Sequence, residues 1–304
     1  MIGIDKVDQL VDRVRERQRP ITLACAGPED AESLEALRLA ADTGLIKPLA
    51  VGRKQAIITC AQTLGISLEG FEFEDVPDQS KVAECTTASV REGRALAMMK
   101  GHLPTKQVIR AILNHQTGLR GDGMLSHVAL FDAPPSGKCV VVTDAGVNIR
   151  PTLSQKIEIT RNAAEVLRRL GVRKPKVAML AAIEHVNVTT MPATLDAKLI
   201  ERMSDAGLLG ELVAQGPLAL DDAVSPDVAR SKGLAGPVAG QADIVVAPEI
   251  ETANAIYKAL TCFAGLEGAS IIWGATAPIV VPGRADTARM KFLSIALACA
   301  MIEN

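Results

Sequence analysis

Short apolar runs alternate with segments of helical spacing along the whole chain. The runs are apolar almost throughout, which is typical of strands that are buried on both faces of a parallel sheet. They cover residues 21–27, 46–52, 95–101, 126–132, 138–144, 176–182, 242–248 and 269–275. The helical segments between them include residues 29–43, 152–170, 194–205 and 250–264. This alternation predicts an α/β protein with largely parallel sheets and flanking helices.

The length of the chain predicts two domains, because 304 residues are more than one hydrophobic core usually serves. Turn-forming residues interrupt the pattern at 132–138 and again at 274–283. The helical segment that follows is too short to fold alone, so we expect it to pack back onto the N-terminal domain. The predicted domain I is then residues 1–131 plus 283–304. Domain II, residues 132–282, is inserted into it, with a cleft between the two.

Composition argues against several classes of partner. Aromatic residues make up only 2% of the chain, whereas proteins bind single-stranded nucleic acid on aromatic faces. The net charge of −2 comes without a basic block, which argues against a polyanion or an anionic membrane surface. The apolar runs are shorter than the ~18 residues of a spanning helix, and the N-terminus lacks the apolar core of a signal peptide. We expect a soluble cytoplasmic protein that binds neither nucleic acid nor membrane.

The cysteines indicate a reducing compartment. They lie at positions 25, 60, 85, 139, 262 and 299, without C-x-x-C spacing and without pairing to the four histidines. A structural zinc site would need its ligands clustered. We therefore expect free thiols, most of them buried, and no bound metal.

Polar residues follow four short apolar stretches, 95–99, 140–143, 244–247 and 279–281, at the strand ends where parallel α/β sheets bind ligands. They are Lys100, then Asp144 and Asn148, then Asn254 and Lys258, and finally Gly283, Arg284 and Asp286. Cations beside helix N-termini are what an anionic group such as phosphate needs. The sequence therefore predicts that both halves of the chain direct such residues, the two lysines, Asn148 and Arg284 among them, towards one anion-binding cleft.

Each of these residues also has a structural interpretation. Lys100 can extend from its strand end to solvent, and Asp144 and Asn148 suit a turn that caps the next helix. Asn254 and Lys258 share one helix face, which is typical of a solvated stripe. The last aspartate of the set can be the N-cap of the final helix while its neighbouring arginine points into solvent.

Common nucleotide and acyl-enzyme motifs are absent from the chain. The segment "CAGPED" (25–30) offers a strand, a glycine and a helix start, but it lacks the G-x-G-x-x-G fingerprint and the Walker lysine. No G-x-S-x-G elbow occurs either. A dinucleotide site, an ATP phosphate loop and an acyl-serine mechanism are therefore not supported.

Several longer segments carry a family resemblance. In chain order they are LAMMKGHLPT, SHVALFDAP, VVTDAGVNIRPTLSQK, NVTTMPATLDAKLI, GPLALDDAVS, KGLAGPVAGQADIVVAPEIETANAIYKAL and GRADTARMKFLSIALA. These segments resemble the phosphate acetyltransferase and phosphate butyryltransferase family, and its butyryltransferase branch more closely. The resemblance implies a two-domain architecture like that of isocitrate and isopropylmalate dehydrogenases, with a cleft between the domains. It also implies a homodimer or a higher homo-oligomer.

The resemblance further implies a reaction and roles for single residues. The reaction is the reversible transfer of a short-chain acyl group, butyryl or acetyl, between coenzyme A and phosphate, without a metal and without a permanently bound cofactor. Arg284 matches the family arginine that holds the phosphate end of the acyl phosphate, and Gly283 stands where the family usually has serine. Asp286 matches an aspartate of the butyryltransferase branch and is the candidate base. Ser126 matches a polar position beside the substrate.

Two other classes of function stay open at this point. The glycine at 283 removes a hydroxyl, so the chain can be a catalytically impaired relative that binds coenzyme A or acyl phosphate; alternatively, the glycine lets its own amide approach an anion. A metal-dependent dehydrogenase of the same broad architecture would need clustered aspartates. The pair Asp221 and Asp222 offers only two, and they are expected to point to different faces.

Overall fold

The chain divides into two units in a computed structural model that describes residues 5–17, 19–121, 123–133 and 137–302. Unit I comprises Asp8–Gly123 and Ala269–Asn304, and unit II comprises Met1–Val7 and Met124–Gly268. The sequence predicts two domains that meet at 131/132 and at 282/283, and this division stays a prediction. The structural boundaries differ because the segment 126–133 pairs within unit II and residues 269–282 belong to unit I.

Unit I contains a set of mainly parallel strands. They are β1 (Ile21–Ala26), β2 (Ile46–Gly52), β3 (Glu72–Asp75), β4 (Ala97–Lys100), β10 (Gly268–Trp273, which begins at the unit boundary) and β11 (Ile279–Val280). Their order is β3-β2-β1-β4-β11-β10, and only the β10–β11 pair is antiparallel. Because β1, β4 and β11 run parallel as neighbours, their carboxyl ends lie at the same edge.

The helices of unit I pack on these strands. They are α1 (Gln9–Arg17), α2 (Ala31–Asp42), α3 (Lys54–Leu64), α4 (Val82–Arg91), α5 (Thr105–Ile112) and α11 (Ala288–Ala300). The last of them, α11, is buried along most of its length and contacts α2 and α1. An apolar helix of this kind is stable only inside a core, which explains why the C-terminal segment returns to the N-terminal part of the chain.

Unit II repeats the alternation of strands and helices. Its strands are β5 (Ser126–Ala133), β6 (Lys138–Thr143), β7 (Lys176–Leu180), β8 (Val213–Leu218) and β9 (Ile244–Val246). Their order is β5-β6-β9-β7-β8, with β5–β6 as the antiparallel pair. The helices are α6 (Leu153–Arg169), α7 (Ala193–Asp205), α8 (Leu220–Val224), α9 (Pro226–Ser231) and α10 (Ile250–Lys258), and a π-helical turn (Ala259–Phe263) follows α10.

The prediction of an α/β protein with largely parallel strands is confirmed. Each apolar run named from the sequence overlaps one strand, and the helical segments correspond to α2, α6, α7 and α10. The segment 250–264 is not one α-helix, because its last turn is π-helical. Of the predicted turn at 132–138, residues 134–136 lie outside the described part of the chain.

Among the helices that the structure describes, none has both the length and the apolar character needed to cross a membrane.

All six cysteines are free. The expectation that most of them are buried is wrong: Cys25, Cys139 and Cys299 are buried, two others are half-buried and Cys262 is exposed.

Candidate active site

A cleft of about 500 Å³ lies in unit I, beside the carboxyl ends of β1, β4 and β11. The segments that follow these strands form its walls together with α11. The lining residues are Asp30, Glu32, Lys100, Gly101, His102, Leu103, Pro104, Thr105, Pro282, Gly283, Arg284 and Lys291. Of the residues predicted from the sequence, the structure thus brings Lys100, Gly283 and Arg284 to one cavity.

Lys100 is the last residue of β4 and is only 6% exposed. It does not extend to solvent. Its Nζ donates hydrogen bonds to the carbonyl oxygens of Gly101, at 3.1 Å, and of Leu103, at 3.4 Å. Burial lowers the pKa of Lys100 below its ordinary value, and repulsion from Lys291 and Arg284 lowers it further. The side chain is therefore a confined cation at the cleft rather than a solvated one.

The turn from Gly283 to Asp286 presents Arg284. The Gly283 amide donates to Asp286 Oδ2 at 2.7 Å, and the Asp286 amide donates back to the Gly283 carbonyl at 3.2 Å. Asp286 is 6% exposed, whereas Arg284 is exposed and has no ion-pair partner among the described carboxylates. The aspartate is not the N-cap of α11, because Thr287 caps that helix. The reciprocal pair of bonds thus fixes the turn and leaves the guanidinium available to a ligand.

This geometry bears on the role of Gly283. Its amide, expected to be able to approach an anion, instead donates to Asp286. A Cβ at this position would meet Asp286 Oδ1 at 3.0 Å, which is close enough to move the carboxylate. The glycine therefore allows a tight contact with Asp286 that a side chain would disturb.

Asp30 and Lys291 belong to the cleft but were not predicted from the sequence. Asp30 caps α2 by accepting the Ser33 amide at 2.9 Å, and its Oδ1 also accepts from Lys291 Nζ at 2.9 Å. Burial acts to raise the pKa of Asp30, yet the hydrogen bonds from Lys291 and Ser33 bring it below its ordinary value. The sequence feature that could have indicated this pair is the single lysine in the apolar helix α11, because a buried charge in such a helix needs a partner.

The wall of the cleft also contains a close approach between two turns. A Cβ at Gly101 would lie 2.5 Å from the Gly27 carbonyl oxygen and 2.9 Å from Pro28 N. The Gly101 amide donates to Ala26 O, and the His102 amide donates to Gly27 O at 2.7 Å. Only glycine fits between these backbones, so the turns after β1 and β4 are held in contact.

In unit II, Asp144 organises the loop that follows β6. Its Oδ1 accepts the amides of Gly146 and Val147, both at 2.9 Å. Its Oδ2 accepts the Asn148 amide at 3.2 Å and the Asn148 Nδ2 at 2.6 Å. The side chain does not cap α6, since Thr152 does so through a capping box with Gln155. Asp144 is 4% exposed and its carboxylate is fully used within its own loop.

The remaining predicted residues lie around this loop or on α10. Ser126 is fully buried and its Oγ accepts from Asn162 Nδ2 at 2.9 Å. Asn254 Nδ2 donates to the Ala145 carbonyl at 3.1 Å, so α10 is tied to the loop. The Lys258 ammonium lies 5.0 Å from the centroid of the Tyr257 ring. The structure therefore joins Asp144 and Asn148 directly by hydrogen bonds and ties Asn254 to the same loop through the Ala145 carbonyl.

The aspartate pair considered for a metal has a different environment. Asp222 is fully buried and forms an ion pair with Lys232 at 2.8 Å, whereas the Asp221 side chain is 56% exposed. Burial raises the pKa of Asp222 above its ordinary value. Within the described ranges, no three His, Cys, Asp or Glu side chains form a group that could hold a metal ion.

Comparison with known proteins identifies the family. Residues 76–299 match the family described as "Phosphate acetyl/butaryl transferase". This chain belongs to that family. It is 36% identical to the phosphate butyryltransferase of Clostridium acetobutylicum, with 99% of each chain covered. It is also 36% identical to the phosphate acetyltransferase of Rhizobium meliloti, over 96% of this chain and 92% of that one.

Solved structures agree with the family assignment. A branched-chain phosphotransacylase from Enterococcus faecalis superposes with a TM-score of 0.83 at 30% identity, covering 92% of this chain and 98% of that one. A 4-hydroxythreonine-4-phosphate dehydrogenase from Klebsiella pneumoniae shares the fold alone, with a TM-score of 0.54 at 15% identity, covering 93% of this chain and 99% of that one. The family resemblance seen in the sequence is confirmed, and so is a fold shared with a dehydrogenase.

Proposed function

We propose that the protein is a phosphate acyltransferase that interconverts acyl-CoA plus phosphate and CoA plus acyl phosphate, with butyryl or acetyl as the acyl group. The observation that carries this proposal is the unit I cleft, where Lys100, Arg284 and Lys291 converge. A phosphate group carries about two negative charges near neutral pH, and pre-organised cations bind it without reorganisation. Arg284 is the proposed phosphate ligand, because a planar guanidinium matches two phosphate oxygens at once.

The chemistry requires no protein nucleophile. In the direction of acyl-CoA formation, the CoA thiol loses its proton and the thiolate attacks the acyl carbon, after which the bond to the phosphate oxygen breaks. Holding both substrates together supplies most of the advantage of a direct reaction. The cations of the cleft would stabilise the charge that passes to the leaving phosphate, and coenzyme A is a substrate rather than a resident cofactor.

Asp286 is the proposed base for the thiol proton, and its contact with Gly283 defines a test of this role. The variant Asp286→Asn keeps an oxygen that can accept the Gly283 amide but removes the basic carboxylate. We expect its turnover to fall by about 10²–10³ with little change in thermal stability. A full rate in Asp286→Asn would assign Asp286 to the turn alone.

The unit II residues predicted from the sequence are proposed to bind or support the substrates rather than to take part in the bond changes. Lys258 and Asn254 on α10, with the loop of Asp144 and Asn148, are proposed to contact the substrates. Ser126, predicted on the phosphate side of the substrate, is fully buried, so it is proposed to act there indirectly through the hydrogen bond from Asn162 that supports the start of β5. The free cysteines fit a cytoplasmic location, and we propose a homodimer or a higher homo-oligomer by analogy with the family.

The test is consumption of the CoA thiol with acetyl, propionyl and butyryl phosphate in metal-free buffer. We expect turnover by the wild type and a loss of at least about a hundredfold in Arg284→Ala, equivalent to roughly 3 kcal/mol of transition-state stabilisation. Arg230→Ala is the matched control, because Arg230 is an exposed arginine of unit II that pairs with Asp227. Binding of CoA without turnover of any of the three acyl phosphates would instead indicate a relative that has lost the chemistry.

A further inference from the structure

Lys291 is a buried cation in the apolar helix α11. It is 6% exposed in α11, yet it lines the cleft beside Lys100 and Arg284. We propose that Lys291 is a second cationic ligand of the phosphate group held by Arg284, and that Asp30 is the positioning residue that directs its ammonium to the cleft. This inference rests on the proposed function, because it names a further residue of the same site.

The hydrogen bonds of Lys291 leave one donor for a ligand. An ammonium group has three N–H donors and no acceptor. One donates to Asp30 Oδ1 at 2.9 Å and another to Ser33 Oγ at 3.1 Å. These two partners are the N-cap of α2 and a residue of its first turn, and they anchor the ammonium there. The third donor is not used by any described residue, and the side chain borders the cavity.

The charges around the cleft favour an incoming anion. Three cations line it, against the carboxylates of Asp30 and Glu32. Asp30 is already engaged by Lys291 and by the Ser33 amide, and Glu32 is exposed to solvent. Repulsion between Lys100 and Lys291 is strong enough to contribute to the lowered pKa of Lys100, after the larger effect of burial. A bound phosphate group would relieve that repulsion, so its binding is coupled to both lysines.

A second buried lysine provides a structural baseline. Lys156 in unit II is also 6% exposed and forms an ion pair with Asp196 at 2.7 Å. It does not line the unit I cleft. If Lys291 only held helices together, then removal of its charge would resemble removal of the charge of Lys156.

The experiment separates the two substrates in the direction of acyl phosphate formation. In Lys291→Met we expect the KM for phosphate to rise about tenfold or more while the KM for butyryl-CoA stays within about twofold. Lys291→Arg should recover most of the phosphate affinity, and Asp30→Asn should raise the same KM by a smaller factor. In Lys156→Met neither KM should move, although thermal stability falls. Equal changes in both KM values of Lys291→Met, or no change, would overturn the proposal.

A binding measurement keeps the inference independent of turnover. Isothermal titration calorimetry of the wild type and of Lys291→Met with inorganic phosphate should show about tenfold weaker binding by the variant. This result in a protein without acyltransfer activity would sustain the role of Lys291 while the proposed function fails. Equal phosphate affinity in both proteins, or no binding to either, would overturn the inference even if turnover is robust. Lys291→Arg serves as the comparison if Lys291→Met does not fold.

Discussion

The cleft of unit I and the Asp144 loop of unit II both follow the carboxyl ends of buried strands, but they use their polar residues in opposite ways. In the loop, the Asp144 carboxylate is saturated by three amides and by the Asn148 side chain. In the cleft, Lys100 and Lys291 are confined beside an exposed Arg284 that has no described carboxylate partner. The loop is complete in itself, whereas the cleft has positive charge in excess.

This difference shows that a polar residue after an apolar strand can either stabilise its own loop or bind a ligand, depending on its type. An aspartate can satisfy several backbone amides of its own turn, so its position alone predicts a stable loop. A lysine or an arginine only donates hydrogen bonds and always brings positive charge, so three of them beside two carboxylates leave an excess of charge that favours an anion. Removal of the Asp144 carboxylate should therefore lower stability first, whereas removal of a cleft cation should lower activity first.

The largest expected effect separates the two regions by activity. Arg284→Ala should lower turnover by about 10²–10³, because the variant loses a pre-organised donor to the phosphate, while its urea midpoint stays close to that of the wild type. The measurement is CoA-thiol consumption together with urea unfolding of the same preparation. A large loss of stability with normal turnover would reverse the contrast drawn between cleft and loop.

The second largest effect is expected in the Asp144 loop, as a loss in the free energy of unfolding. Asp144→Ala leaves the amides of Gly146, Val147 and Asn148 without their acceptor, so we expect a loss of about 3 kcal/mol in the free energy of unfolding. Urea unfolding measures it, and Asp144→Asn is the matched control because it keeps one acceptor oxygen. A variant as stable as the wild type would show that water replaces the carboxylate without cost.

A smaller effect tests the contact at Gly283. A Cβ there meets Asp286 Oδ1 at 3.0 Å, so Gly283→Ala should destabilise the protein by about 1 kcal/mol through a displaced carboxylate. Gly283→Ser adds the same Cβ together with a hydroxyl that can donate to Asp286. Comparing the turnover of the two variants isolates the hydroxyl, and a rate in Gly283→Ser above that of the wild type would show that the glycine limits catalysis.

The smallest effect is the pH dependence contributed by Asp30. Its pKa is lower in the folded protein than the ordinary value of 3.8, so the unfolded chain binds more protons in that range. The stability it contributes is complete above the ordinary value and is lost as the pH falls through the folded value. Urea midpoints of wild type and Asp30→Asn should therefore converge as the pH drops below 3.8, and parallel curves would contradict this.

Most of the framework follows from the sequence because buried parallel strands are apolar throughout. β1 and β2 were predicted to within a residue, and the segments after β4 and β11 were expected to bring Lys100 and Arg284 to one site. The short strand β3 (Glu72–Asp75) was missed because three of its four residues are acidic and none of them is buried. β8 was missed because a glycine and a proline interrupt its apolar pattern.

The contacts that define the site were less accessible from the sequence. The bond between the Gly283 amide and Asp286 depends on the conformation of one turn, which the residue types do not determine. The pair Asp30–Lys291 joins positions far apart in the chain, and only the packing of α11 on α2 brings them together. A lysine in an apolar helix indicates that a partner exists but does not identify it.

The contact between Gly101 and the Gly27 turn has a consequence for changing the substrate range of this protein. With backbone atoms 2.5 and 2.9 Å from any added Cβ, position 101 accepts no side chain unless the two turns separate. A mutagenesis library aimed at longer or bulkier acyl groups therefore gains nothing from randomising residue 101. The diversity is better placed at Thr105, which borders the same cavity and is exposed.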